Sequence, residues 1–288
     1  MFDHKRYAKN QQLDRVTEDK FDRMADVLPE GKQGVAVIDH FAMNKMDVLA
    51  SLNTHYEDFV PEGTYARLRV NGELMMTDSP MEKRTNLEIV EKARGRVLIA
   101  GLGIGMILRT IMRKPEVTHI TVLEKYQDVV DLVLPQFASS SLLVSGYERN
   151  GHNHIQIAGA KLEVIVADVF QWEPTDTTKY NTIYFDIWPN SLVDFLPEMD
   201  ALYKRYRPLL AKGGWMDSWT YKQLKQKQAE DIKFRKELPG LLDRHRNDCA
   251  PEVLGARLQR LLAHEKLSDD NKRIIREWAE KNGVNLTP

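Results

Sequence analysis

Three glycines at alternating positions, Gly101, Gly103 and Gly105, follow the apolar run Val97-Leu98-Ile99-Ala100. A carboxylate, Glu124, closes the next apolar run, Val122-Leu123-Glu124-Lys125. A buried strand that ends in a glycine turn lets a ligand approach the backbone closely. A carboxylate at the end of the following strand can accept hydrogen bonds from a ribose diol. Glu124 stands 23 positions after Gly101, and a strand–helix–strand unit separates a glycine turn from a ribose-binding acid by roughly 20 residues. The pair reads as a site for a nucleotide-like ligand.

Spacing narrows the ligand. A dinucleotide fingerprint needs glycine at the sixth position of the turn, where this chain has Met106. No Gly-Lys-Ser/Thr follows, which excludes a phosphate-cradling P-loop. Two more acids close apolar runs. Asp168 ends Leu162-Glu163-Val164-Ile165-Val166-Ala167. It either accepts from an exocyclic adenine amine or caps the segment that follows. Asp186 leaves Tyr184-Phe185 and precedes Ile187-Trp188-Pro189. It is poised either beside the reactive end of the ligand, with Trp188 as an aromatic face for a cation, or at a structural turn with Trp188 in the core. Asp78 and Glu82, in Thr77-Asp78-Ser79-Pro80-Met81-Glu82, either face the crevice or cap a helix. His152 and His154 alternate in a polar stretch without further ligands at metal spacing, so they read as surface residues and no metal is expected.

These residues need a scaffold that brings strand ends together. Strands are predicted at 96–101, 119–124, 162–167, 181–186 and 214–219, as near-continuous apolar runs that suit a sheet covered on both faces. Ile107, Leu108, Ile111 and Met112 mark one helical face between them, and Val129, Val130 and Val133 another. Alternating strands and helices predict an α/β fold, a doubly wound Rossmann-like parallel sheet with its ligand crevice at the carboxyl ends of the strands. Before it, a charged, helical stretch ends near Pro29-Glu30-Gly31, followed by a strand-like run at 35–38. Two more runs, 65–70 and 73–76, flank Asn71-Gly72, a hairpin signal because both turn positions favour positive φ. Residues 138–160 read as a Ser-rich insertion, a candidate lid together with 188–200. Stripes of Leu254, Leu258, Leu261 and Leu262, and of Ile274, Ile275 and Trp278, predict helices in the tail. The expected domains are 1–85 (N-terminal helix and β-hairpin region), 86–220 (Rossmann domain) and 221–288 (helical C-terminal extension).

Composition sets the frame. The 288 residues carry a net charge of -1, with no overall pull toward nucleic acid or anionic membrane. The balance is uneven: 15 Lys/Arg face 11 Asp/Glu after residue 220, and 26 face 31 before it. The single cysteine, Cys249, excludes an intrachain disulfide and fits a reducing compartment. No apolar run approaches the ~20 residues that span a membrane, and the charged N-terminus lacks a signal-peptide core. A cytoplasmic location is expected.

The G-x-G-x-G turn is similar to motif I of class I S-adenosylmethionine-dependent enzymes. Over about residues 64–220 the chain resembles their spermidine synthase-like branch. The resemblance rests on the hairpin, the run Val97-Leu98-Ile99-Ala100-Gly101, Glu124, and Asp168 before Val169. It implies S-adenosylmethionine as cofactor, held by Gly101, Leu102, Gly103, Gly105, Glu124, Lys125, Asp168 and Val169. Polyamine synthases carry an Asp in the glycine loop where this chain has Ile104. They also carry a second acid three residues after the first where it has Pro189. Phe185-Asp186-Ile187-Trp188-Pro189 is similar to the Tyr-Asp-Thr-Tyr-Pro segment of guanidinoacetate methyltransferases, where the Asp grips and deprotonates the guanidino nitrogen. Carried over, Asp186 is the catalytic acid or base, and Glu82 lies upstream of the glycine turn roughly where that family has a second acid; Trp188 and Asp78 are the further substrate-binding candidates. The expected function is N-methylation of a small amine or guanidino compound. The alternatives are aminopropyl transfer and a non-catalytic nucleoside-binding protein. The partner expected is the small-molecule acceptor, with neither membrane nor nucleic acid, and a homodimer is left open.

Overall fold

A computed structural model describes residues 17–44, 60–137, 144–149, 152–157, 162–174, 177–248, 250–263, 267 and 269–286. The charged stretch before residue 17 and Cys249 lie outside the described residues. The chain forms two compact units, Met1–Tyr221 and Lys222–Pro288.

The first unit opens with a four-stranded antiparallel sheet: β1 (Gly31–Gln33), β2 (Ala36–Met43), β3 (Gly63–Val70) and β4 (Glu73–Thr77), in that spatial order. Val70 pairs with Glu73 across the two-residue turn Asn71-Gly72. Both turn residues take positive φ, 53° and 83°, as a type I′ hairpin requires. Alternation sets the faces: Ala36, Ile38, Ala66, Leu68 and Val70 are buried, whereas Val37, Asp39, Arg67 and Arg69 are half-exposed.

Two short helices, α1 (Pro80–Thr85) and α2 (Leu87–Lys92), lead into the main sheet. Its strands are β5 (Gly95–Ala100), β6 (Val117–Glu124), β7 (Val144–Arg149), β8 (His152–Ile157), β9 (Leu162–Val166), β10 (Tyr180–Phe185) and β11 (Leu210–Ser218), in the order β11-β10-β5-β6-β9-β8-β7. The first five in that order pair in parallel. They match the five predicted strands to within a few residues at either end. The connecting helices are α3 (Met106–Met112), α4 (Gln127–Val133) and α5 (Leu196–Tyr206). Parallel crossovers are right-handed. The chain steps from β5 to β6 and β9 in one direction, then from β10 to β11 in the other, which puts α3 and α4 on one face and α5 on the opposite face. Side chains agree: Phe185 meets Tyr206 of α5 edge-on at 5.2 Å, while its neighbour Tyr184 joins the core that holds α3 and α4. The sheet is a doubly wound, Rossmann-like α/β sheet whose strand order reverses between β5 and β10.

The stretch 138–160 departs from its reading as a loop insertion. Its described residues form an antiparallel pair, β7 and β8, that extends the sheet beyond β9. His152 and His154 therefore sit on a strand. Residues 138–143, 150, 151 and 158–160 lie outside the described residues.

The second unit holds α6 (Tyr221–Asp248, which begins on the last residue of the first unit), α7 (Pro251–Leu262) and α8 (Asp269–Lys281). Leu238, Leu242, Leu254, Leu258, Ile275 and Trp278 form its core. The Trp278 indole N–H donates to Asp243 at 2.9 Å, and Arg235 bridges Asp231 and Asp270. No helix among the described residues is long and apolar enough to cross a membrane.

Candidate active site

In-register parallel pairing brings the carboxyl ends of β5, β6, β9, β10 and β11 to one edge of the sheet. Single backbone hydrogen bonds carry that alignment into the loops: Gly101 N–H to Leu123 O (2.8 Å), Ala167 N–H to Glu124 O (2.8 Å), Asp186 N–H to Ala100 O (2.9 Å) and Trp219 N–H to Phe185 O (2.9 Å). A cavity of about 260 Å³ opens there, where the strand order reverses, as expected for an open α/β sheet.

The glycine turn is shaped by contacts that exclude a side chain. Gly101 has φ +96°, and a Cβ on it would lie 2.1 Å from the Asp186 carbonyl oxygen. Gly103 has φ +53°, and a Cβ there would lie 2.5 Å from the Met76 sulfur at the end of β4. The turn thus touches the β10 loop on one side and the hairpin on the other. Gly101, Leu102 and Gly103 line the cavity. Gly105 lies outside that wall and serves as the N-cap residue of α3.

Glu124 is 7% exposed. Its Oε2 accepts the Leu102 N–H at 2.8 Å and its Oε1 accepts the Tyr126 N–H at 2.9 Å. Burial holds its carboxyl above the ordinary range, against the opposing pull of the Leu102, Tyr126 and Lys125 amides. The carboxylate fastens the glycine turn to the end of β6. A carboxylate offers about four acceptor sites, so these amides leave room for a ribose hydroxyl.

Asp168 does two jobs within the protein. Its Oδ1 accepts the Phe170 N–H at 2.9 Å, capping the turn, and its Oδ2 lies 3.2 Å from the Lys125 ammonium. That pairing holds the Lys125 pKa above its ordinary value. Asp168, Lys125, Val169 and Phe170 all line the cavity.

Asp186 lines the same cavity, as do Trp188, Glu82, Glu198 and Trp219. Its backbone is fixed on both sides, by the N–H bond to Ala100 and by the close approach of its carbonyl to Gly101. Its side chain has no hydrogen-bond partner among the described residues. Burial alone pushes the carboxyl up to about 7. Trp188 is 5% exposed and donates its indole N–H to Glu198 Oε2 at 3.0 Å. Trp219 donates its own indole N–H to Thr85 Oγ1 at 2.9 Å. Both rings are thereby fixed as cavity walls.

Asp78 is not brought to this cavity. It is 1% exposed, and its Oδ2 and Oδ1 accept the backbone N–H groups of Met24 (2.7 Å) and Ala66 (2.8 Å). It ties the segment before β1 to strand β3, and both of its oxygens are engaged there and not in capping α1. Sequence reasoning missed Glu198, Trp219, Met76 and Phe170. Trp219 ended a predicted strand and so carried a positional signal. Glu198 had none, because only the packing of α5 brings it back to Trp188.

No family model matches the chain, and no curated protein matches it. Among solved structures, a spermidine synthase from Thermotoga maritima matches 67% of this chain and 56% of its own, at 14% identity and TM-score 0.39. An amino pentose methyltransferase from Micromonospora echinaspora matches 47% of this chain and 45% of its own, at 19% identity and TM-score 0.29. A SAM-dependent methyltransferase from Leishmania major matches 48% of this chain and 51% of its own, at 15% identity and TM-score 0.32. The chain spans about half the length of the structures it matches. The fold assignment rests on the strand order and registers of the sheet.

Proposed function

We propose that this chain is an S-adenosylmethionine-dependent transferase that places a methyl group on a nitrogen of a small amine or guanidino acceptor. The observation that carries this reading is Asp186: a carboxyl beside the glycine turn, without a hydrogen-bond partner among the described residues, and pushed up to about 7 by burial. The surrounding residues fit the cofactor. Glu124 keeps lone pairs for a ribose diol, Leu102, Val169 and Phe170 offer apolar surface for a purine, and Asp168 borders that surface. The bound cofactor supplies a methyl group already activated by its sulfonium charge.

The protein is left with positioning and with one proton. Ionised Asp186 attracts a cationic acceptor, and Trp188 and Trp219 add aromatic surface that favours a cation. Removing the acceptor's proton frees the nitrogen lone pair for attack. The proton goes to an Asp186 carboxylate oxygen. A base with a pKa near the working pH both accepts that proton and releases it to water. Holding acceptor and cofactor together supplies much of the remaining acceleration.

A second reading is favoured by a specific feature. Glu82, Asp186 and Glu198 put three acidic side chains on the cavity wall. Such a wall favours a nucleoside whose tail ends in an amine over one whose tail carries a carboxylate. Decarboxylated S-adenosylmethionine and aminopropyl transfer fit that preference.

Calorimetric titration of the full chain with S-adenosylmethionine, S-adenosylhomocysteine and decarboxylated S-adenosylmethionine decides between them. Tight binding of the first two with weak binding of the third is the expected result. A preference for the third moves the assignment to aminopropyl transfer, and no binding by any of the three rejects both readings.

A further inference from the structure

Trp188 and Glu198 meet on the cavity wall. Both line the cavity, and the Trp188 indole N–H donates to Glu198 Oε2 at 3.0 Å. Trp188 is buried and lies two residues beyond Asp186 in the chain. Glu198 sits in the first turn of α5 and is exposed. An exposed glutamate ordinarily turns among several rotamers, and fixing it costs side-chain entropy. Here the indole bond orients the carboxylate before any ligand arrives, which lowers the cost of binding.

The indole bond leaves most of the carboxylate's capacity unused. A carboxylate offers about four acceptor sites, and no Lys or Arg pairs with Glu198 among the described residues. Lys125 is the only basic side chain among the residues that line the cavity, and it is engaged with Asp168. Glu198 therefore brings to the wall a charge that no described residue neutralises. In the free protein, water and salt screen that charge. A ligand that fills the cavity displaces the water, and the charge then acts on it through a lower dielectric.

We propose that Glu198 is a specificity-determining residue: its carboxylate, oriented by the Trp188 indole, accepts hydrogen bonds from a donor on the acceptor's tail and refuses an acceptor whose tail carries a carboxylate. The inference deepens the transferase reading of the cavity and rests on it, whichever group is transferred. Amino acids and guanidino acids are thereby excluded as acceptors, whereas amines and guanidines with a neutral or cationic tail are admitted. This sets the chain apart from the guanidinoacetate methyltransferases to which its Asp186 segment is similar, whose acceptor is an acid.

Three guanidines of similar reach test the proposal. Agmatine has a cationic tail, butylguanidine a neutral one and guanidinobutyrate an anionic one. Each is titrated calorimetrically into the full chain, alone and with S-adenosylhomocysteine present. The wild type should bind agmatine most tightly and guanidinobutyrate most weakly. Glu198→Gln removes the charge but keeps an oxygen that can accept the indole N–H, so its thermal transition should match the wild type. In this variant agmatine should bind about tenfold more weakly, the difference between a charged and a neutral hydrogen-bond partner. Butylguanidine should stay within about twofold, and guanidinobutyrate should bind no more weakly than before. Guanidinobutyrate binding the wild type as tightly as agmatine overturns the proposal, as does the absence of binding by all three at millimolar concentration. So does an unchanged agmatine affinity in Glu198→Gln, or an equal loss for all three, which marks a change of shape and not of charge. The nucleoside titrations described above judge the transferase reading separately, because the guanidine series on the chain alone needs no nucleoside.

Discussion

Asp186 combines a fixed backbone with a carboxyl that has no hydrogen-bond partner among the described residues and is pushed up by burial, and each half of that description has a measurable consequence. Asp186→Asn keeps shape and hydrogen-bonding atoms but cannot take a proton. It should retain S-adenosylhomocysteine affinity and lower turnover by ~10²-fold or more; near-native turnover excludes Asp186 as the base. In the wild type the rate should rise with pH through about 7, because the ionised form does the work. Stability should run the other way. The folded-state pKa is raised from 3.8 to about 7, so the native state holds a proton that the unfolded state has released between those values. Stability is then lost as pH rises from about 4 to about 7 and stays reduced above it. Asp186→Asn removes that penalty. It should be more stable than the wild type at pH 8, by an amount on the order of 2–4 kcal/mol, and no more stable at pH 3.5. Parallel urea titrations at the two pH values test this, and equal differences at both would count against a carboxyl held in a poorly solvated site.

The glycine turn depends on two neighbours, the β10 loop and the β3–β4 hairpin, so its residues are sensitive from either side. Gly101→Ala places a methyl group 2.1 Å from the Asp186 carbonyl oxygen at φ +96°. The left-handed backbone alone costs roughly 1–2 kcal/mol, and the clash adds to it. Loss of nucleoside binding with a lowered urea midpoint is expected. Asp78→Ala removes the acceptor of two buried amides, and at ~1–3 kcal/mol for each unsatisfied group it should cost about 2–6 kcal/mol in urea unfolding. The five parallel strands were legible because burial on both faces demands apolar runs, and the hairpin because Asn71-Gly72 suits positive φ. The pair β7–β8 was not. Its residues, Val144-Ser145-Gly146-Tyr147-Glu148-Arg149 and His152-Asn153-His154-Ile155-Gln156-Ile157, lie at the sheet margin, where pairing to β9 replaces apolar patterning as the cause of the strand. β1 was hidden for the same reason. Glu124 and Asp186 were legible as acids that close apolar runs. Asp78 carried a similar local signal, yet tertiary contacts engage it with backbone amides. Glu198 depends on the packing of α5, which no local pattern encodes.

Each of the two compact units has its own apolar core, and the residues proposed to hold the ligand belong to the first. Scanning calorimetry of the full chain should resolve two transitions, and S-adenosylhomocysteine should raise only one of them, by the linkage between binding and unfolding. A single transition that moves as a whole would mean the units unfold together. The strand order has a consequence in time as well. Strand β5 is flanked by β6, which follows it closely, and by β10, which arrives late: Arg96 bonds to Asn181, 85 residues along the chain. Closing so long a loop is entropically costly, and distant parallel pairings form slowly. The β3–β4 hairpin needs no such search. In refolding, and as the chain emerges from the ribosome, Glu124 and the glycine turn are present well before Asp186 reaches them. The cavity is therefore among the last features to exist, and recovery of nucleoside binding should lag behind recovery of secondary structure.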